Sequence, residues 1–187
     1  MVERVITGGQ TGVDQGALRA ARAAGIATGG WAPRGWLVEG RYDLIARRHV
    51  DEPAPWLADF GLIECPEPGY PARTAANVRD AHALLWFGDT GTYGARRTLA
   101  EATRRHLQPF IVNLGAARRP SQVADFLRSV PSCRVLMVAG NRESKSLGIG
   151  QRTEWFLGVV FRMLREGPRE VAPLPVEVEE APRGWLL

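Results

Sequence analysis

The sequence predicts an α/β fold, a single Rossmann-like, doubly wound parallel sheet flanked by helices, and three observations predict it. Short apolar runs alternate with segments of helical periodicity along most of the chain. One of those runs, Ala83-Leu84-Leu85-Trp86-Phe87, is unbroken, as expected of a strand buried on both faces. Glycine-rich stretches stand between strand and helix, where parallel β-α-β crossovers place their turns. With 187 residues the chain is long enough for one core and too short for two well-developed ones. Residues 1–165 therefore read as a ligand-binding domain, and residues 166–187, rich in Pro, Glu and Val, as an extended C-terminal tail.

In order, residues 2–7 read as a strand, Gly8-Gly9 as its turn, and the segment through Ala24 as a helix stopped by Gly25. Residues 26–31 form the next strand, and residues 31–41, rich in Gly, Pro and Trp, a loop. Residues 42–70 carry prolines at 53, 55, 66 and 68 and are left irregular; a loop this long in a compact domain is often functional. A helix over residues 73–80 precedes the strand at 83–87. A glycine loop at 88–94 then leads into a helix over 96–106. Strand 110–114, helix 121–129 capped by Ser121, strand 134–139 and a long helix 149–165 complete five strands alternating with helices.

Composition narrows the function. No apolar stretch is long enough to cross a bilayer and the N-terminus runs straight into a strand, so a cytoplasmic protein with no membrane partner is expected. The net charge of +4 invites nucleic acid as a partner, but the arginines are scattered in pairs with acidic residues between them, so none is expected. Cys65 and Cys133 lack metal-motif spacing, and His49, His82 and His106 are dispersed; no metal site and no catalytic residue is assigned. Lys145 is the only lysine, in a chain that uses arginine everywhere else.

Ligands of open parallel sheets settle beyond the carboxyl ends of the strands. Four segments converge there. The first holds Gly8, Gly9, Gln10, Thr11, Gly12 and Asp14; its amides and helix dipole suit a phosphate, with Asp14 as a cap or polar contact. Gly9→Val is expected to abolish binding and leave the fold intact. The second holds Trp31 and Arg34, an aromatic and a cation suited to a flat ring. The third holds Gly91, Thr92, Gly94 and Thr98, and the fourth Asn141, Arg142, Glu143, Ser144 and Lys145, in which Arg142 and Lys145 can reach an anion and Glu143 can pair with one of them.

These residues resemble the molybdenum carrier protein family, related to the lysine-decarboxylase-like phosphoribohydrolases. The resemblance spans roughly residues 4–160 and rests on TGGQTGVD, on GGWAPRG with the following Glu39, on YPARTAAN with Val78-Arg79-Asp80, and on AGNRESKSLGI. It implies a Rossmann-like fold, assembly into homodimers or tetramers, and a groove for molybdenum cofactor (molybdopterin) as cargo or a related nucleotide-like ligand. It also adds Arg73, Thr74 and Asn77 to the candidate residues. The family's central loop reads Gly-Gly-Thr with a second threonine close by, whereas here Gly94-Ala95-Arg96-Arg97-Thr98 stands, and Asn141 replaces a common proline.

Three functions follow. The first is a non-catalytic carrier holding a phosphate-bearing pterin or nucleotide-like ligand, with Arg73 or Trp31 against its ring. The second is a phosphoribohydrolase, which needs a carboxylate beside the ribose; the PGGxGTxxE signature of such enzymes is missing and Glu101 lies off its spacing. The third is a nucleotide-ligand sensor built on the same pocket.

Overall fold

The computed structural model describes residues 1–114 and 119–167. Its centre is a six-stranded sheet in the order β5-β2-β1-β8-β6-β7, formed by β1 (Arg4–Ile6), β2 (Ala27–Ala32), β5 (Leu62–Glu64), β6 (Ala83–Phe87), β7 (Pro109–Val112) and β8 (Val135–Gly140). Every neighbouring pair is parallel. A separate antiparallel hairpin consists of β3 (Leu37–Asp43) and β4 (Arg48–Pro53). The helices are α1 (Val13–Ala23), α2 (Tyr70–Arg79), α3 (Tyr93–Arg104), α4 (Pro120–Ser129) and α5 (Ile149–Glu166).

The period of two along each strand sorts the core into two layers. Leu85, Phe87, Leu136 and Val138 face α1, α4 and α5 and pack with Ala17, Leu127, Phe156 and Leu157. Ile6, Leu84, Trp86 and Met137 face the other way and pack with Val78 of α2 and with Ala95 and Ala102 of α3. A third cluster, centred on Leu57 of a 3₁₀ turn (Pro55–Phe60), joins Leu18, Ala32, Val38 and Leu62 and ties the hairpin's base to the sheet.

Two glycines let helices α1 and α5 meet closely. A Cβ on Gly16 would lie 2.2 Å from the Gly150 carbonyl oxygen, and a Cβ on Gly150 would lie 2.9 Å from that of Gly12. Both contacts are with backbone, so no side chain can give way.

The predicted class holds, with five local corrections. The sheet has a sixth strand, β5, whose three residues are too few for any periodicity to show. Residues 31–41 are not all loop, because β2 continues to Ala32 and β3 begins at Leu37. The irregular stretch 42–70 contains β4, exposed at all six positions and therefore without apolar alternation, together with the 3₁₀ turn and β5. Helix α4 is capped at Arg119 rather than Ser121: Pro120 takes the first helical position, and the Gln122 side chain accepts from the Arg119 N–H at 3.1 Å. Helices α2 and α3 start earlier than expected, at Tyr70 and Tyr93, the latter because the Thr92 hydroxyl accepts from Ala95 N–H at 3.2 Å. Among the described residues no helix is long and apolar enough to cross a membrane. Of the expected C-terminal tail, residues 168–187 lie outside the described residues.

Gly16→Ala is expected to lower stability by about 1–3 kcal/mol, the cost of overpacking against an immovable neighbour. The shift of the urea midpoint at unchanged slope checks it.

Candidate functional site

A cleft of about 320 Å³ opens at the carboxyl edge of the sheet, beyond β1, β6 and β8. The structure brings into its lining Gln10 and Asp14 of the first segment, Arg73 and Thr74 of α2, Thr92, Gly94 and Thr98 of the third segment, and Asn141, Arg142 and Lys145 of the fourth. Three of the four expected segments thus meet at one cleft together with α2, whereas the second, with Trp31 and Arg34, does not enter its lining.

The first loop is built differently from the phosphate cradle expected of it. Its amides already have protein acceptors. The N–H groups of Gly8 and Gln10 donate to Asp14 Oδ2 at 3.1 and 3.2 Å, Gly9 donates to Thr7 Oγ1 at 3.0 Å, and Thr11 donates to Gln10 Oε1 at 2.9 Å. Val13 N–H reaches Asn141 O at 3.3 Å. The Asp14 carboxylate, which sits in the first turn of α1 and is 4% exposed, occupies the place where a bound anion would collect these donors. Burial pushes its pKa up, opposed by Arg73 and by the amides of Gln10 and Gly8.

Over this loop lies Arg73. Its Nη1 is 3.8 Å from Asp14 Oδ2, and the residue is 9% exposed. Gly8 makes room for it: a Cβ there would fall 1.6 Å from Nη1 and 2.0 Å from Cζ. A guanidinium has five donors, and here Nε is buried without a hydrogen-bond partner. Gln10 Nε2, Trp86 Nε1 and Asn141 Oδ1 are likewise buried and unpartnered, and all four atoms belong to residues lining the cleft. Natural interiors pair such groups with protein, water or ligand.

Arg142 leans across the mouth, with Cζ 5.1 Å from the Tyr70 ring centre and Nη1 3.5 Å from Glu39 Oε1. Arg73 approaches the same ring at 5.8 Å. Tyr70 donates its hydroxyl proton to Asp51 Oδ2 at 2.8 Å; burial first, and this bond second, push its pKa up to about 12. Glu39 anchors the hairpin to the first loop, its N–H donating to Gln10 Oε1 at 2.7 Å and its carboxylate accepting from the Thr11 hydroxyl at 3.4 Å. Burial raises the Glu39 pKa, but the nearby Ser144 and the charges of Arg142 and His49 outweigh it and hold it below the ordinary value.

The remaining candidates sit around the cleft rather than in its lining. Asn77 is a strut: its Oδ1 accepts from Trp31 N at 2.9 Å, and its Nδ2 donates to Trp31 O and Arg73 O at 3.0 Å each. Trp31 donates its indole N–H to Asp80 Oδ2 at 2.7 Å, so it belongs with the C-terminal end of α2. Arg34 is exposed on the turn between β2 and β3. Glu143 pairs with neither neighbouring cation; its carboxylate accepts from Gly148 and Gly150 N–H and caps α5. Gly91 turns the chain, its N–H on Asp89 Oδ1 at 2.8 Å. Gly9 and Gly12 have φ of +76° and +79°. A Cβ on Gly9 would lie 2.6 Å from Leu57 Cδ1 at a left-handed φ, so Gly9→Val is expected to cost stability as well as any binding.

Sequence reasoning passed over Trp86, Tyr93 and Arg97, which also line the cleft. The apolar run hid Trp86, and Arg97 looked like one of many surface arginines. The cleft's lining carries the cations Arg73, Arg97, Arg142 and Lys145 against the carboxylate of Asp14.

Similarity to known proteins agrees with this architecture. The Circularly permutated YpsA SLOG family matches residues 5–161. A crystal structure of the "Putative molybdenum carrier protein" of Syntrophus aciditrophicus SB superposes with a TM-score of 0.67 at 28% identity, covering 86% of this chain and 94% of that one. No curated protein matches the chain.

Two outcomes are expected. Gly8→Ala displaces only the flexible end of Arg73, whereas Gly12→Ala meets the backbone of Asn141 and Glu143 at a left-handed φ. Gly12→Ala should therefore cost more stability, read from chemical denaturation. A carboxyl whose pKa is lowered on folding adds stability above its unfolded value, near 4.5 for Glu39, and loses it as the pH falls through the folded value. Asp14, raised on folding, has the opposite sign. Glu39→Gln should flatten the acid limb of the stability profile between these limits, checked by denaturation from pH 6 down to about 3.

Proposed function

The chain belongs to the Circularly permutated YpsA SLOG family, and from that premise we propose that it is a carrier that binds a phosphate-bearing small ligand in the cleft at the carboxyl edge of the sheet. The ligand class is molybdenum cofactor or a related pterin or nucleotide-like phosphate. It is cargo, held and released without reaction.

The observation that carries this reading is Arg73. A desolvated guanidinium with one carboxylate at 3.8 Å and an unpartnered Nε has donor capacity left over, and a doubly charged phosphate supplies the acceptors. Arg142, Lys145 and Arg97 add charge around it, and the N-terminal turn of α3 at Thr92 to Gly94 points its positive end into the same space. The phosphate thus belongs between α2, α3 and the Asn141–Lys145 segment, with Asp14 holding the first loop beneath it. Tyr70, Tyr93 and Trp86 offer the aromatic surface for a flat heterocycle, in place of Trp31. The molybdenum part of the proposal comes from the name of the Syntrophus protein.

A carrier is preferred to a hydrolase because Asp14, the carboxylate in the described lining, is committed to two amides and Arg73. Glu101 lies elsewhere, paired with Arg104 and Arg105.

Native mass spectrometry and calorimetry with molybdopterin, inorganic phosphate, molybdate and nucleoside monophosphates test the proposal. Retention of a phosphate-bearing ligand without release of free base is expected; release of base from a monophosphate would make the protein a hydrolase. Arg142→Ala should weaken binding by about 1–3 kcal/mol, the scale of a charge-assisted hydrogen bond. Arg73→Lys keeps the charge and loses the fork, and should weaken binding by more. Unchanged affinity in both variants would remove the cleft from the function.

A further inference from the structure

The β3–β4 hairpin carries features that the cleft does not use. Its outer strand, β4, is exposed at all six positions, and among the described residues it pairs with β3 alone, so one edge of backbone donors and acceptors is open. The turn that joins it to β3 is hydrogen-bonded, Asp43 Oδ1 accepting from the N–H groups of Ile45 and Ala46 at 2.8 Å each. That ordered turn holds Leu44 and Ile45 out in solvent at 83% and 96% exposure. Near the other end of β4, Trp56 is also exposed, at 45%.

The charge order of β4 is its own complement. Read antiparallel about Val50, Arg48-His49-Val50-Asp51-Glu52 places Arg48 opposite Glu52, His49 opposite Asp51, and Val50 opposite itself. Each opposed pair occurs twice, as a two-fold axis requires. Strand edge and charge order agree on one occupant.

We propose that β4 pairs antiparallel with β4 of a second copy of this chain, centred on Val50, to form a four-stranded β3-β4-β4-β3 sheet in a symmetric dimer. The occupant is this chain itself, because an unrelated strand would not mirror the charge order. The dimer also bears on the cleft: Asp51, in the paired strand, receives the Tyr70 hydroxyl, and Glu39, on β3, holds Arg142. Pairing fixes the wall against which those two residues rest, and it needs no ligand to form.

Sedimentation velocity of the full chain at micromolar concentrations, with a charge swap, tests it. Wild type should sediment as a dimer. Arg48→Glu and Glu52→Arg each create two like-charge contacts and should weaken the dimer by about tenfold or more in Kd. The double variant Arg48→Glu/Glu52→Arg should regain the dimer, a recovery that a merely misfolded hairpin would not show. Val50→Cys should give a disulfide-linked dimer under mild oxidation; Cys65 and Cys133 are buried. A monomeric wild type, single variants as dimeric as wild type, a double variant no better than the singles, or a dimer in which Val50→Cys does not cross-link would each overturn the proposal.

Discussion

The buried contact between Asp14 and Arg73 is the constraint from which the edge of the sheet is built. Two ions this far from water are costly to keep, and they are retained only where geometry and further hydrogen bonds repay the loss of hydration. Asp14 is repaid by the amides of Gly8 and Gln10. Arg73 is repaid only in part, by a carboxylate at 3.8 Å and the aromatic ring of Tyr70. The loop is thus satisfied from below and the cation left open above. The phosphate-bearing ligand proposed for the cleft would meet donors already desolvated, so little reorganisation would be required of the protein.

The other elements hold this contact in place. Asn77, one turn after Arg73, clamps α2 to the backbone of β2 at Trp31. Glu39 ties the hairpin to Gln10 and to Arg142. Glu143 caps α5, and the Asn141 carbonyl receives the N–H of Val13, so the segment after β8 is pinned to the helix that carries Asp14. Most polar side chains near the cleft are positioning groups, and the cations Arg73, Arg97, Arg142 and Lys145 are left to line it.

What could be read from the chain follows from where the information lies. Strand β6 and helix α5 declare themselves locally, one by five consecutive buried apolar residues and the other by a long amphipathic period. Strand β5 and the hairpin do not: three residues carry no period, and a strand wet on both faces has no apolar alternation to detect. In the site, glycines were legible and their reasons were not. Gly8 looked like a phosphate turn but is a gap filled by a guanidinium from 65 residues away. Asp14 was legible as a cap, since its carboxylate can reach back over four to six residues to the loop amides. The competition between that carboxylate and a phosphate for the same amides was decided by tertiary structure, as were the placements of Trp31 with Asp80 and of Trp86 in the lining.

The position of β8 has a consequence for how the protein comes to exist. This strand lies between β1 and β6, so the earliest and middle strands of the sheet do not touch until residues 135–140 are available to join them. Without β8 the strand order leaves β5-β2-β1 and β6-β7 with no pairing between them. Closure is a late, non-local event, slow by the measure of sequence separation and exposed to mispairing until it occurs. The cleft lies across that seam, with Asp14 on one side of it and Thr92 and Thr98 on the other. The cleft is therefore incomplete until the last strand is inserted, and the ligand proposed for it would be met only by chains that have finished folding.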